Sequence, residues 1–241
     1  MVGALTTRVQ IVSILLLLCS ALCAQDQNTD ANKSNPFTKG LDHLFNYLNM
    51  AGTEKAAEFK PMTQSERNHF YYKSMVNPFT FVKAGLSAGI DQWNDKPTEW
   101  GQGVAGYGKR YGNILGQYWV QKTVTYGLSS ALHEDNRYFN SGKHGFWPRV
   151  AYALESGILA RHDNGTRHIS ISQIGGTAAG AFVARAWLPP SQSSAEKGAI
   201  SFGVTLASNA GFGIVKELLP DIGRKLSKKQ KEANEANRDT W

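Results

Sequence analysis

Apolar positions recur along this chain mostly at helical spacing. Leu41, Leu44, Phe45 and Leu48, for example, would share one face of a short helix, because residues three and four apart lie on the same side of a helix. The long segments lack the sustained alternation that is typical of half-buried strands. The pattern therefore predicts an all-α fold, a helical bundle of about six to eight helices.

Several residues with capping or helix-breaking roles predict where the helices begin. Thr63 and Glu66 have the spacing of a capping box, and Ser193 and Glu196 repeat it. Pro78 should separate two helices because it has no amide proton and restricts the residue before it. The resulting segments are 63–76, 79–93, 107–132, 147–160, 169–187 and 193–219, with a polar loop at 133–144 and a turn at 162–167.

The N-terminal residues have the order of an export signal. Arg8 precedes an apolar run from Val9 to Cys23, and small residues near Ala24 offer a cleavage point before a polar stretch. The run is closer in length to a signal core than to the roughly 20 apolar residues of a spanning helix. We predict a signal peptide at 1–23, with an uncleaved membrane anchor and a lipoprotein as alternatives.

The predicted signal peptide is followed by three further regions. A polar flexible leader should occupy 24–38, because its composition offers too little apolar surface to offset the entropy of ordering. The helical bundle domain is predicted at 39–226 and a charged tail at 227–241. Both cysteines lie in the predicted signal peptide, so the mature chain would contain no disulfide.

The chain is basic, with a formal net charge of +7. Exported proteins do not normally meet nucleic acid, so anionic lipid or another envelope polyanion is the expected partner of the basic C-terminal cluster. A solvated helix face that keeps this end soluble is the alternative. The cluster comprises Arg224, Lys225, Lys228, Lys229 and Lys231.

Many glycines lie four residues apart inside segments that are otherwise helical. Each such glycine costs about 1 kcal/mol relative to alanine, so the spacing needs a physical reason. Small residues at this spacing form a smooth face that lets a second backbone approach closely, as in small-xxx-small contacts. The predicted packing positions are Gly85, Gly89, Gly108, Gly112, Gly116, Gly176, Gly180, Gly203 and Gly211.

These packing faces are compatible with a soluble bundle, a membrane-associated protein or a homo-oligomer. The glycines and aromatic residues of 101–126 also have the composition of outer-membrane strands, which we keep as an alternative for that segment.

A dense polar cluster supplies the candidate chemistry. Imidazole and carboxylate groups brought together can bind a metal or exchange protons; the spacing is not that of a zincin, which would need histidine in place of Arg137. The candidate catalytic residues are His133, Glu134, Asp135, His144 and His162, and the candidate anion contacts are Arg137, His144 and Arg161. No cofactor follows from the sequence, and no metal site is assigned.

Two further interpretations apply to this cluster. Residues 141–144, Ser-Gly-Lys-His, partly match the Ser-Gly-His element of membrane-associated acid phosphatases, although a lysine interrupts the element. The structural interpretation is a polar loop that caps two helices. In that loop Asp135 and Arg137 would form an ion pair or bind free backbone groups, and Tyr138 and Phe139 would fill the end of the bundle.

Three motifs accompany the predicted signal peptide: Glu-Asp-x-Arg-Tyr-Phe at 134–139, Phe-Trp-x-Arg at 146–149 and Leu-Pro-Asp-Ile-x-Arg-Lys at 219–225. In these features the chain resembles uncharacterised exported envelope proteins of soil bacteria over residues 78–226. The resemblance implies an envelope location and no particular activity.

The sequence thus predicts a non-enzymatic exported protein of the cell envelope, membrane-associated or homo-oligomeric, in the periplasm or at the outer membrane. The alternative is a metal- or His/Asp-dependent, phosphatase-like hydrolase with its site near residues 133–168.

Overall fold

The computed structural model describes residues 53–55 and 59–238, with side chains for residues 59–218 and Asp221. The predicted signal peptide, the leader and the short helix around Leu44 lie outside the described residues, so these expectations stay predictions.

Helices dominate the described residues, as the apolar periodicity predicts. The predicted number of six to eight stays a prediction because part of the chain lies outside the description. The α-helices are α1 (Gln64–Met75), α2 (Pro78–Trp93), α3 (Gly103–Leu132), α4 (Phe146–Glu155), α5 (Ile171–Val183) and α6 (Ala195–Arg238), with 3-10 turns at Thr98–Trp100, Ala184–Ala186 and Pro190–Gln192.

The fold is not purely all-α, because five short strands form two small sheets within the described residues. They are β1 (Thr53–Lys55), β2 (Glu134–Asp135), β3 (Tyr138–Asn140), β4 (Leu159–His162) and β5 (Arg167–Ile169). β1 pairs with β3 in parallel, while β2, β4 and β5 form an antiparallel sheet in the order β2-β4-β5. Strands of two to four residues are too short to produce a recognisable alternation, which is why the sequence pattern did not predict them.

One of the two predicted capping boxes is confirmed and the other is wrong. Thr63 and Glu66 form the capping box of α1, and Asn77 caps α2 with Pro78 in its first turn. At the start of α6 the hydroxyl of Ser194, not that of Ser193, accepts a hydrogen bond from the Lys197 amide at 3.3 Å, while Ser193 donates to the carbonyl oxygen of Pro190. The alternative of outer-membrane strands at 101–126 is wrong, because this segment lies mostly within the single helix α3.

Other predicted boundaries are wrong where sheet pairing or helix continuity intervenes. The helix predicted at 147–160 ends at Glu155, because the following residues pair in β4. The last helix does not end at Leu219: α6 continues through Pro220 and through the expected start of the charged tail to Arg238.

Helix α3 lies at the centre of the described fold, in contact with α1, α2 and α5, and α6 packs against α4 and α5. The α3–α5 contact is the most extensive, and two predicted packing glycines belong to it. A Cβ added at Gly176 would lie 2.7 Å from the carbonyl oxygen of Gln121, and one added at Gly180 would lie 2.8 Å from that of Gln117. Glycine is therefore required at both positions for the two helix backbones to approach.

The remaining predicted packing glycines differ from this pair. A Cβ added at Gly85 would contact the hydroxyl of Tyr107 at 3.2 Å, and one at Gly116 would contact the Trp187 ring at 3.5 Å. At the other five, an added Cβ would meet no atom within 4 Å, so these glycines do not bring two helices of one chain together. These five are Gly89, Gly108, Gly112, Gly203 and Gly211.

The interior of the described fold is unusually polar. Its buried apolar residues are mostly alanines, joined by Leu115, Phe139 and two tyrosines. Charged residues are buried with them, and many large apolar side chains are exposed instead. The buried charged residues are Arg67, Arg110, Glu134, Asp135 and Glu217.

Arg110 shows how such a charge is accommodated. Its guanidinium is fully buried and donates hydrogen bonds to the carbonyl oxygens of Lys96, Pro97 and Gly101, at 2.8, 3.0 and 2.7 Å. Because a buried cation without partners is very unfavourable, the loop between α2 and α3 is shaped around this side chain.

The two kinds of glycine predict opposite responses to alanine. Gly180→Ala should destabilise the fold by about 1–3 kcal/mol through overpacking against α3, whereas Gly112→Ala should stabilise it by about 0.5–1 kcal/mol through higher helix propensity. Denaturant unfolding of both variants measures the difference. Equal effects in both variants would contradict the close contact between α3 and α5.

Candidate functional site

Glu134 lies at the junction between the end of α3 and the start of α5. Its side chain is buried, and its carboxylate accepts hydrogen bonds from the backbone amides of Ile171 and Ser172, at 3.0 and 2.9 Å. The hydroxyls of Ser170 and Ser172 also donate to it, at 3.1 and 2.5 Å. A carboxylate at a helix N-terminus satisfies amides that lack partners within the helix and interacts favourably with the helix dipole.

Asp135 is equally buried and forms an ion pair with Arg137. The guanidinium donates to both carboxylate oxygens, at distances of 2.6–3.0 Å, and the Arg137 amide donates to the same carboxylate at 3.0 Å. The structural interpretation of the polar loop predicted this pair.

His133 ends α3 in a left-handed backbone conformation, with φ of 54°. Its Nδ1 lies 3.0 Å from a carboxylate oxygen of Asp163. The other oxygen of Asp163 accepts a hydrogen bond from Arg67 at 3.1 Å, and Arg67 also donates to the carbonyl oxygens of Ser129 and Glu134. Arg67 thus caps the carboxyl end of α3.

His162 belongs to the three-stranded sheet, where it is paired with Glu134 across β2 and β4. Its ring packs edge to face against that of His168, with centroids 5.4 Å apart. Both rings line a cavity of about 390 Å³ with Leu132, Ile169 and Ile171. Glu134 also contributes to this wall, although its carboxylate is held by the N-terminus of α5.

Arg161 stacks between two aromatic rings. Its guanidinium lies 5.3 Å from the Phe59 centroid and 4.9 Å from that of Phe139, which are cation–π distances. Its buried Nε has no hydrogen-bond partner among the described residues. Arg161, which the sequence predicted as an anion contact, therefore packs against Phe139 of the polar loop.

His144 is exposed in the segment between β3 and α4. It does not line the cavity beside His162, and no hydrogen bond or ion pair links it to another candidate residue in the described part of the chain. The fold brings Glu134, Asp135 and His162 into one sheet, with His133 directly before its first strand, but it does not bring His144 into contact with them.

A third buried carboxylate, Glu217 of α6, was not among the residues that the sequence singled out. It accepts hydrogen bonds from the Tyr138 hydroxyl at 2.7 Å and from the Ser141 amide at 3.2 Å, and it pairs with Arg149 at 3.3 Å. Arg149 also pairs with Asp221. Tyr138, Arg149 and Asp221, one residue from each of the three sequence motifs, are thus joined in one network with Glu217. A lone acidic residue inside the apolar part of α6 was the available signal.

Tyr138 is affected electrostatically by this arrangement. Burial, and then the hydrogen bond to the Glu217 carboxylate, raise the pKa of its phenol. The phenol therefore stays protonated and acts as a hydrogen-bond donor.

The polar cluster of residues 133–168 matches no known site. No protein family model, curated protein or solved structure matches this chain. Within residues 59–218, no group of three or more His, Asp and Glu side chains is arranged to hold a metal ion. What the geometry does show is that Glu134 and Asp135 have structural partners.

A structural role for Glu134 predicts a large effect on stability. Glu134→Gln should destabilise the fold by about 2–3 kcal/mol, because the amide replaces a charged acceptor and turns a donor toward the helix N-terminus. The matched control is Glu155→Gln, since Glu155 is exposed and lies 3.8 Å from Arg167; its effect should stay within about 1 kcal/mol. Similar unfolding free energies for the two variants would exclude this role.

The hydrogen bond between Tyr138 and Glu217 predicts a difference between two buried tyrosines. Tyr138→Phe should cost about 1–2 kcal/mol, while Tyr152→Phe should be nearly neutral, since no hydrogen bond to the Tyr152 hydroxyl is found among the described residues. Thermal or denaturant unfolding measures both. If Tyr152→Phe were the more damaging change, the assigned network would be incorrect.

Proposed function

We propose that this chain is an exported, non-enzymatic protein of the cell envelope that associates with a membrane through its last helix. One observation carries this proposal. The segment Ala195–Leu218 of α6 is long and apolar enough to cross a membrane, yet only 11% of its apolar 18-residue stretch is buried within the fold.

Two soluble explanations for such a helix have less support. The core helix of a soluble protein would be mostly buried, whereas this segment is mostly exposed. A signal sequence would lie near the N-terminus, whereas this segment begins at Ala195. Exposing so much apolar surface to water is unfavourable, so a lipid or protein partner should cover it.

The exposed side of α6 combines branched and small residues. Ile200, Val204 and Val215 are exposed, and Gly203 and Gly211 meet no atom within 4 Å. A second exposed apolar stripe runs along α2; its members, at helical spacing, are Val82, Leu86, Ile90 and Trp93. These faces suit contact with lipid or with a second copy of the chain.

The distribution of charge along α6 supports a membrane orientation. The apolar segment is followed within the same helix by Arg224, Lys225, Lys228, Lys229 and Lys231. Basic residues next to an apolar helix are attracted to anionic headgroups. Anionic lipid is therefore the proposed partner of this cluster, with another envelope polyanion or a homo-oligomer as alternatives.

The alternative proposal, a hydrolase near residues 133–168, has less support from the geometry. Glu134 already binds the N-terminus of α5, and Asp135 already binds Arg137. A general base needs an available carboxylate or imidazole close to the substrate, and His144 does not contact the other candidates.

Membrane association through α6 predicts the behaviour of a charged variant. The full-length protein should resist carbonate extraction and be released by detergent, while Val204→Asp should move most of it to the soluble fraction. An aspartate in the apolar region of a membrane costs about 2.5–3.5 kcal/mol, which accounts for the expected shift.

Ser65→Asp is the matched control, because it adds the same charge on the exposed side of α1 and should not change fractionation. A wild-type protein that is freely soluble, or a Val204→Asp variant that fractionates like the wild type, would overturn the proposed association. Mass analysis of the same preparation tests removal of the predicted signal peptide.

A further inference from the structure

A second cavity, distinct from the one lined by His162 and His168, is lined by aromatic, neutral polar, cationic and acidic side chains. We call it the lysine cavity, because Lys83 of α2, Lys122 of α3 and Lys216 of α6 contribute to its wall. Its volume is about 330 Å³, which lies in the range of small-molecule sites.

The three lysines have no anionic partner in the described fold. Their ammonium groups lie near aromatic rings instead, 4.4 Å from the Phe212 centroid for Lys83, 5.5 Å from Tyr118 for Lys122 and 5.9 Å from Tyr138 for Lys216. None of the three forms an ion pair with a described side chain.

The carboxylates in the same wall do not neutralise these lysines. Glu134 is bound by the N-terminus of α5, and Asp135 is bound by Arg137. The wall also contains Arg67, which caps α3. The lysine cavity therefore carries an excess of positive charge.

The surroundings of Lys83 and Lys122 disfavour their charged forms. Burial lowers the pKa of the Lys122 ammonium. Burial, and then repulsion from Lys122, lower the pKa of Lys83. Three lysines from three different helices thus line one cavity, with Lys122 and Lys216 half-buried and Lys83 exposed. Perturbed cations that meet in one cavity are typical of a site that binds an anion.

We propose that the lysine cavity binds a phosphate-bearing ligand between Lys83, Lys122 and Lys216. Three unpaired cations match a multiply charged oxyanion better than a single carboxylate, which would leave most of the positive charge uncompensated. Asn209, also in the wall, has a side-chain amide without a hydrogen-bond partner among the described residues and supplies a neutral donor.

A free solute and a phospholipid headgroup both carry such a phosphate group, and the cavity chemistry is the same for both. α6 contributes Thr205, Asn209 and Lys216 to the cavity and presents Val204 on its exposed apolar side. The phosphate site does not depend on the proposed membrane association, because a water-soluble phosphate ester tests it directly.

The test uses the full-length protein in detergent, with inorganic phosphate as the first probe. Phosphate should raise the melting temperature and bind in calorimetry, while chloride at equal ionic strength should not. Lys122→Met and Lys216→Met should each weaken phosphate binding at least tenfold. Lys109→Met is the matched control, since Lys109 is exposed on α3 outside the cavity, and it should bind like the wild type.

A stability measurement distinguishes loss of binding from loss of fold. Without phosphate, Lys122→Met should melt at the same or a higher temperature than the wild type, because the substitution removes an uncompensated cation. Lys122→Arg keeps the charge and should retain most of the binding.

Competition then identifies the source of the phosphate group. Displacement of phosphate by a short-chain phosphatidylglycerol, but not by phosphatidylcholine, would assign an anionic lipid headgroup; displacement by glycerol phosphate alone would assign a soluble ester. The proposal is overturned if inorganic phosphate, glycerol phosphate and phosphatidylglycerol all fail to bind, or if Lys122→Met and Lys216→Met bind them like the wild type.

Discussion

The carboxylate of Glu134 holds together elements that are distant in sequence. Glu134 lies just after the end of α3 and belongs to β2, which pairs with β4. Its carboxylate binds the first amides of α5. A buried carboxylate is tolerated only where donors surround it. The requirement to satisfy this one charge therefore positions the start of α5 against the end of α3, and the close glycine contact between the two helices follows from that position.

The same requirement recurs at the other buried charges. Arg110 orders the loop before α3, Arg67 closes the end of that helix, and Glu217 joins α6 to the segment after β3. Polar networks of this kind leave little room for large apolar side chains in the interior. Many of those side chains are exposed on α2 and α6, which is why we assign the exterior a lipid or protein partner.

Two groups of charged residues in this fold have different physical roles. The carboxylates of the polar loop are saturated with donors and act as structural anchors. The ammonium groups of Lys83, Lys122 and Lys216 have aromatic neighbours but no counter-ion in the described fold. We therefore expect ligand binding at the lysines, whose charge is uncompensated, although the polar loop contains more candidate residues in the sequence.

The sequence by itself determined those features that depend on neighbouring residues. The capping box at Thr63, the break at Pro78 and the helical nature of most segments follow from local hydrogen bonding and backbone restriction. The ion pair of Asp135 with Arg137 is equally local, because only one residue separates the two in the chain.

Only the tertiary structure decided which charges were already paired. Glu134 meets Ser172, Tyr138 meets Glu217, and Lys122 and Lys216 line one cavity only after distant helices pack. The sequence spacing also could not separate Gly180, which contacts α3, from Gly112, which faces open space. Periodicity defines a helix face, but the partner of that face depends on how all the helices pack together.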